Sequence, residues 1–390
     1  MRVILRVCAS TIARASRYGR QELPARARNP YGQLGNNLNN QLSTQGPLPN
    51  RKGTNPFPEG LLPTPTPFDQ VQWYMNPLSQ NPYSMQWNLG VQHELNSSTI
   101  VTANYVGSGS RRLFTAGYYN TALTPGPGDP RARSPYPYIQ PTFYDRSVGR
   151  SNYNSFQFML DKKFSKGLAY MVSYTWSKAI DIGSSGWYGV EGHSVQDPYN
   201  YNNDRSVAGF DLPHVLSVNW VYQLPFGPGM TWNPSNKVLS HIIGNWQTNG
   251  IVLLRSGQPF NLSVPGDGAN TGNNSYLRPD YVGGDVNLAS PTPEKWFNTG
   301  AFGIPAAFKF GSMGRHILRS DGYENLDLSI FRQFPITEGK RLEFRVEMFN
   351  SFNNVVYGTP NGTITSTGFG QVTTVGKQPR QIQLALKFMF

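Results

Sequence analysis

The amino-acid sequence predicts an all-β fold, an antiparallel transmembrane β-barrel present here as an incomplete barrel of about twelve strands with long extracellular loops. Three observations carry that expectation. Apolar and polar residues alternate with a period of two over repeated stretches, several of roughly ten residues, as in a sheet with one apolar and one wet face. The connections are unequal: tight turns at 96–98, 165–167 and 335–340 contrast with long polar segments at 109–151, 178–212 and 265–322. Aromatic residues (Tyr83, Phe164, Tyr174, Trp176, Tyr222, Phe388, Phe390) gather near strand ends, where an amphipathic ring suits a membrane interface.

Composition agrees. The 390 residues hold 40 Gly and 31 Pro, with 13% aromatic and 38% hydrophobic residues, a mixture that favours strands joined by turns. No run of about 18 apolar residues is present, which excludes a transmembrane helix but not a barrel, whose strands alternate.

Taken in order, residues 1–82 read as an irregular unit: a basic leader, then a Pro/Asn/Gly-rich coil containing Pro56-Phe57-Pro58 and Pro63-Thr64-Pro65-Thr66-Pro67. Residues 83–390 read as the barrel part. Tyr83, Met85, Trp87, Leu89, Val91 and Leu95 oppose Ser84, Gln86, Asn88, Gln92 and Glu94. Past Asn96-Ser97-Ser98, Val101, Ala103 and Tyr105 complete a hairpin. The pattern recurs at Phe156–Phe164, Leu168–Trp176 and Leu216–Leu224, and more weakly at Trp246–Arg255. It is clearest at the end: Leu326, Leu328 and Ile330; Leu342, Phe344, Val346 and Met348; and Ile382, Leu384, Leu386, Phe388 and Phe390. Nine strands are strong and about three are weak, near 111–119, 258–264 and 370–376. No segment reads as a useful amphipathic helix.

A soluble β-sandwich, such as a secreted carbohydrate-binding module, also alternates and is the second reading. Its strands usually run about five to six residues, whereas a tilted membrane crossing takes roughly 9 to 11. In a sandwich Phe158, Tyr170, Val218 and Phe344 would be buried between two facing sheets.

The net charge of +12 raises the question of nucleic acid, but half the excess sits in residues 1–28, where Arg2, Arg6, Arg14, Arg17, Arg20, Arg26 and Arg28 face only Glu22. No basic stripe interleaved with aromatics follows, so no nucleic-acid partner is expected. Arg6 separates Val3-Ile4-Leu5 from Val7-Cys8-Ala9, so no uninterrupted secretory apolar region forms. The leader has the composition of a mitochondrial transit peptide, but is read instead as an arbitrary start on a fragment whose own N-terminus is missing. Cys8 is the single cysteine.

The order of several motifs resembles the C-terminal barrel of TonB-dependent receptors, in particular the Oar-like branch, over roughly residues 83–390. The most specific stretch is Gly311-Ser312-Met313-Gly314-Arg315-His316-Ile317-Leu318-Arg319, then Asn325-Leu326-Asp327-Leu328-Ser329, then Arg341-Leu342-Glu343-Phe344-Arg345-Val346-Glu347-Met348-Phe349-Asn350. Asn104-Tyr105-Val106-Gly107-Ser108, Asp211-Leu212-Pro213-His214, Leu224-Pro225-Phe226-Gly227 and Ser256-Gly257-Gln258-Pro259-Phe260 follow in the family's order. The resemblance implies an outer-membrane receptor or transporter in a Gram-negative-type envelope, embedded in outer-membrane lipid. It also implies a plug and a segment that engages the TonB complex; neither is recognisable here, so TonB is expected only through a missing N-terminal part.

Candidate functional residues follow from these readings. Asp327, Arg341, Glu343, Arg345 and Glu347 fall on the wet face and are expected to line a lumen. Trp187, Tyr188, Tyr199, Tyr201 and Asp204 lie in an aromatic and amide-rich loop, where stacking and hydrogen bonding suit a sugar or peptide ligand. By resemblance, Phe388 and Phe390 form a C-terminal signal read by the barrel-assembly machinery. The histidines His93, His193, His214, His241 and His316 show no zinc spacing, Gly107-Ser108-Gly109-Ser110-Arg111-Arg112 lacks the Walker spacing, and Asp181, Glu191, Asp197, Asp204 and Asp211, which as carboxylates could serve glycosidase chemistry or hold calcium, show no EF-hand spacing and are read as a solvated surface loop, so neither an enzyme nor a bound metal or cofactor is expected.

Overall fold

A computed structural model describes residues 10–11, 73–75, 80–137, 141–183, 195–273 and 277–390. The architecture is the expected all-β, antiparallel one. Nine long strands run β1 (Tyr83–Asn96), β2 (Thr99–Tyr119), β3 (Thr142–Ser165), β4 (Leu168–Asp181), β5 (His214–Gln223), β6 (Trp246–Arg255), β7 (Tyr323–Thr337), β8 (Lys340–Phe349) and β9 (Gln381–Met389). Each pairs with the next in a single up-and-down meander. β1 and β9 are not paired with each other, so the sheet is an incomplete barrel.

The sheet has twelve members, but its three minor strands are not the three weak ones expected. They are Ser10–Thr11 on β1, Trp73–Met75 parallel to β3, and Ser206–Val207 on β4. Residues 111–119 instead prolong β2, Pro259–Phe260 pairs with Leu318–Arg319 in a separate small sheet, and 370–376 contributes an isolated bridge from Val375 to Tyr357. Most of 1–82, the expected irregular unit, lies outside the described residues. Among the described residues one short helix, Lys237–Ile243, was not foreseen; Asn236 caps it, accepting from Leu239 N.

Cross-strand register sorts the side chains. Phe158 faces Tyr174, Val172 faces Val218, and Phe344 lies between Arg332 and Leu386, so these apolar residues share one face of one sheet. That face is uncovered: Leu89 is 47% exposed and Leu384 67%. Among the described residues no second sheet of comparable size packs on it, which overturns the sandwich reading. The opposite, inward face carries Thr102, Ser155, Ser177 and Glu343, all buried. A sheet that exposes apolar residues and buries polar ones suits lipid outside and a polar interior.

Two tryptophans on the outward face lie flat over glycines of the neighbouring strand. A Cβ on Gly107 would meet Trp87 Nε1 at 2.2 Å, and one on Gly250 would meet Trp220 Cη2 at 2.1 Å. Glycine is required there because a ring occupies the space of the missing side chain. At the turn end, Lys166 (φ 50°) and Gly167 (φ 77°) make a two-residue turn of the kind that matches strand twist. Asn96 Oδ1 closes the first hairpin by accepting from Ser98 N at 2.9 Å. Connections at this end span 97–98, 166–167, 224–245 and 338–339; those at the other end span 120–141, 182–213, 256–322 and 350–380.

Gly250→Val should displace the Trp220 ring and cost about 1–3 kcal/mol, as overpacking does. The check is denaturant unfolding of the refolded protein in lipid or detergent followed by tryptophan fluorescence; unchanged stability would remove the packing role assigned to this glycine.

Candidate functional site

The four long connections fold together into a layer at one end of the sheet, and that layer holds the hydrophobic core. Phe260, Leu262, Phe297, Ala301, Phe302, Met313 and Leu318 are buried together, with Trp296, Ile364 and Phe369 against them. Phe297, 1% exposed, is the hub: its ring meets Phe302 and Phe369 edge-on at 5.8 and 5.3 Å between centroids. Such edge-to-face contacts stabilise beyond burial alone.

Three arginines of connection 256–322 reach aspartates in and beside connection 182–213. Arg278 pairs with Asp204 and Arg315 with Asp181, both pairs buried, and Arg319 pairs with Asp211 at 2.5 Å. Backbone carbonyls take up further guanidinium hydrogens: Arg278 Nε donates to Met313 O (2.9 Å), Arg315 Nε to Asp204 O (3.1 Å), and Arg319 Nη1 to Asp211 O and Gly257 O (both 3.0 Å). Asp211 Oδ1 also accepts from Ala179 N at 2.6 Å, which ties the cluster to β4. Close approach explains two glycines: a Cβ on Gly311 would meet Arg278 O at 1.7 Å, and one on Gly257 would meet Ser320 O at 1.8 Å. The glycine-arginine stretch 311–319 is thus a clamp between two loops.

The loop candidates separate. Tyr199 donates through its hydroxyl to Thr121 O at 2.9 Å, and Tyr201 bonds the hydroxyl of Tyr119. The Arg146 guanidinium lies 4.9 Å from the centre of the Tyr119 ring, and Arg150 Nη2 donates to Asn202 Oδ1 at 2.5 Å. Burial pushes the Tyr199 hydroxyl pKa up. Asp204 turns the other way: it is 2% exposed and sits in the clamp, so its side chain does not meet solvent beside the tyrosines. Trp187 and Tyr188 lie outside the described residues. What sequence reasoning missed is the partnership of Arg278, Arg315 and Arg319 with Asp204, Asp181 and Asp211.

On the inward face, Asp327, Arg341, Glu343, Arg345 and Glu347 share one side of the β7–β8–β9 ladder. Arg345 bridges Glu343 (2.6 Å) and Glu347 (3.3 Å), while Gln333 Nε2 donates to Glu343 Oε2 at 3.0 Å. Asp327 Oδ1 accepts from Asn350 N at 2.9 Å. Beside them a shallow cavity of about 530 Å³ is lined by Met171, Val221 and Ile251 with Asp161, Asp327 and Glu347 at its sides. Phe388 and Phe390 stack at 6.0 Å on the outward side of the C-terminal end, with Phe390 93% exposed. Among the described residues no three His, Cys, Asp or Glu side chains are grouped to hold a metal ion.

Removing one partner of a buried ion pair strands the other charge, so Arg278→Ala should loosen the loop layer by about 3–5 kcal/mol. Hydrogen exchange should show the loss at 195–213 and 256–322 but not in β1–β3; protection unchanged in both loops would refute the clamp. Burial, which outweighs Arg278 and Arg315, raises the Asp204 pKa above its ordinary value, and its second oxygen accepts no hydrogen bond. A carboxyl raised on folding contributes stability that is full below the ordinary carboxylate pKa and is lost as pH rises through the elevated value. Limited proteolysis of connection 182–213 should accordingly speed up across that window, and Asp204→Asn should flatten the trend. Identical profiles for the two proteins would count against it.

The chain matches, over residues 10–383, the family model described as an outer membrane beta barrel domain. No curated protein matches it in sequence. Among solved structures it is similar to the outer membrane transporter YddB from Escherichia coli, at 10% identity and a TM-score of 0.43, covering 82% of this chain and 35% of that one. It is also similar to FpvA of Pseudomonas aeruginosa bound to a heterologous pyoverdine and iron, at 11% identity and TM-score 0.44, covering 82% and 29%. BauA, the ferric preacinetobactin receptor from Acinetobacter baumannii, matches at 12% identity and TM-score 0.38, covering 79% and 30%. The chain spans about a third of the length of these structures. With TM-scores below 0.5, the assignment rests on the family match, with which the outward apolar sheet agrees. This chain belongs to the outer membrane beta barrel domain family, and its location is the outer membrane.

Proposed function

We propose that this chain is the C-terminal barrel portion of a TonB-dependent receptor that binds and imports a substrate, rather than an enzyme. The observation that carries the reading is the packed loop layer joined to a lipid-facing sheet through the 311–319 clamp, in a stretch whose motifs follow the receptor order. The long connections then face outside the cell and the tight turns face the periplasm. Tyr199, Tyr201 and Asn202, with Arg146 and Arg150 beside them, offer aromatic faces, amides and cationic donors to a polar ligand, for which Trp187 and Tyr188 of the same sequence segment are further candidates. Asp327, Arg341, Glu343, Arg345 and Glu347 line the lumen, where alternating charge keeps the passage wet.

The barrel meets outer-membrane lipid with its apolar face, the barrel-assembly machinery with Phe388 and Phe390, and the TonB complex through a segment upstream of the barrel. The natural gene product purified in detergent should co-elute with the periplasmic domain of TonB. Failure to do so would overturn TonB dependence and leave the barrel assignment intact. A monodisperse, water-soluble monomer without detergent would overturn the lipid-facing assignment itself. Deleting Phe390 should lower the fraction inserted in outer membranes several-fold, read by fractionation and heat-modifiable mobility on gels; wild-type insertion would remove the role given to the C-terminal aromatic.

A further inference from the structure

The outward face does not stay apolar all the way to the loop end. β1, β3, β5, β7 and β9 run from loops to turns and the four strands between them run back, so the two edges of the sheet share a direction. On β4 the outward residues climb from Leu168 at the turn through Tyr170, Val172, Tyr174 and Trp176 to Lys178. From 168 to 178, a strand tilted by about 40° rises roughly 25 Å, the height of the apolar band of an outer-membrane barrel. Lys178 therefore stands at the edge of that band, one step above Trp176.

Its neighbours on β3 and β2 form a surface of hydrogen-bond donors. Asn154 lies opposite Lys178, and Arg150 lies opposite Arg111. The Tyr105 hydroxyl donates to Asn154 Oδ1 at 2.7 Å, and Arg111 Nη1 donates to Asn152 Oδ1 at 2.9 Å as well as to the carbonyls of Ser110 and Ser151. Both amide oxygens are thus occupied. The two amide nitrogens, Nε and Nη2 of Arg111 and Nζ of Lys178 have no acceptor among the described residues. Nor does any carboxylate among the described residues pair with Arg111, Arg150 or Lys178. Like charges directly opposite, as Arg111 and Arg150 are, repel each other. Fixed donors beside unneutralised cations suit an anion.

We propose that Arg111, Asn152, Asn154 and Lys178 bind the phosphate of an outer-leaflet lipid headgroup, an assignment that rests on reading the long connections as extracellular. Position selects a lipid over a free anion. Directly below the donors, Trp176, Phe156 and Tyr105 are 59, 43 and 40% exposed, so an amphiphile covers both surfaces with its phosphate above and its acyl chains beneath. Arg150, which also reaches Asn202 in the loop layer, closes the site on its loop side.

The full chain purified in detergent should bind a bisphosphorylated glucosamine lipid (lipid A), read by native mass spectrometry as a lipid-bound species. Arg111→Gln and Lys178→Gln should each weaken that binding about tenfold, as loss of a charge-assisted hydrogen bond does. Lys340→Gln, at the turn end, should not change it. Lys178 is exposed and makes no hydrogen bond among the described residues, so its variant keeps the sheet intact, which heat-modifiable mobility on gels checks. Unchanged binding in both variants, equal binding of the phosphate-free lipid, or displacement of the lipid by equimolar inorganic phosphate would each overturn the proposal. Orientation is read separately, with Leu123→Cys in a Cys8→Ser background, since Leu123 is 55% exposed in connection 120–141. On intact cells it should react with a membrane-impermeant maleimide. Labelling only after lysis would overturn the outer-leaflet assignment together with the extracellular reading, whereas lost lipid binding with labelled loops would overturn the phosphate site alone.

Discussion

Lipid accepts no hydrogen bonds, and that constraint shapes the molecule. Every backbone N–H and C=O that faces the bilayer must find a partner within the sheet, which is why nine strands pair in unbroken sequence from Tyr83 to Met389. The same constraint inverts the usual arrangement of side chains. Leu384, Leu386 and Phe388 stand uncovered, while Glu343 is nearly sealed on the inner face. Trp87 and Trp220 also obey it, lying along the outer surface over Gly107 and Gly250.

Because lipid takes the apolar face of the sheet, the long connections cannot use it as a core and must build their own. Phe297 and its neighbours do so at the loop end, and the arginine clamp fixes which loop segment meets which. Buried ion pairs of this sort contribute little net stability, since desolvation offsets attraction. The raised pKa of Asp204 shows desolvation ahead of the pull of Arg278 and Arg315. Their value lies in specificity: a loop docked out of register would leave a charge buried alone.

Much of the sheet was legible in advance. All nine long strands were read from alternation, because a period of two is written by local residues facing two different media. Their limits were less clear. Residues 111–119 looked like a separate strand because the register of β2 against β3 shifts between Arg111 and Leu113 and again between Leu113 and Thr115, breaking the alternation without ending the pairing. Among the site residues, Tyr199, Tyr201 and Asp204 sit within one short stretch, yet the two tyrosines turn to the end of β2 and the aspartate turns into the clamp.

Local sequence by itself determined the fold class, the two faces of each strand and the existence of a glycine-arginine loop, because each depends only on residues that are neighbours along the chain. Only the tertiary structure decided what that loop holds. Arg278, Arg315 and Arg319 lie 74, 134 and 108 residues from Asp204, Asp181 and Asp211, and no periodicity links positions so far apart. The order of strand pairing and the shared direction of the two edges are likewise properties of the assembled sheet. They arise from hydrogen bonds between strands rather than from the residues of any one.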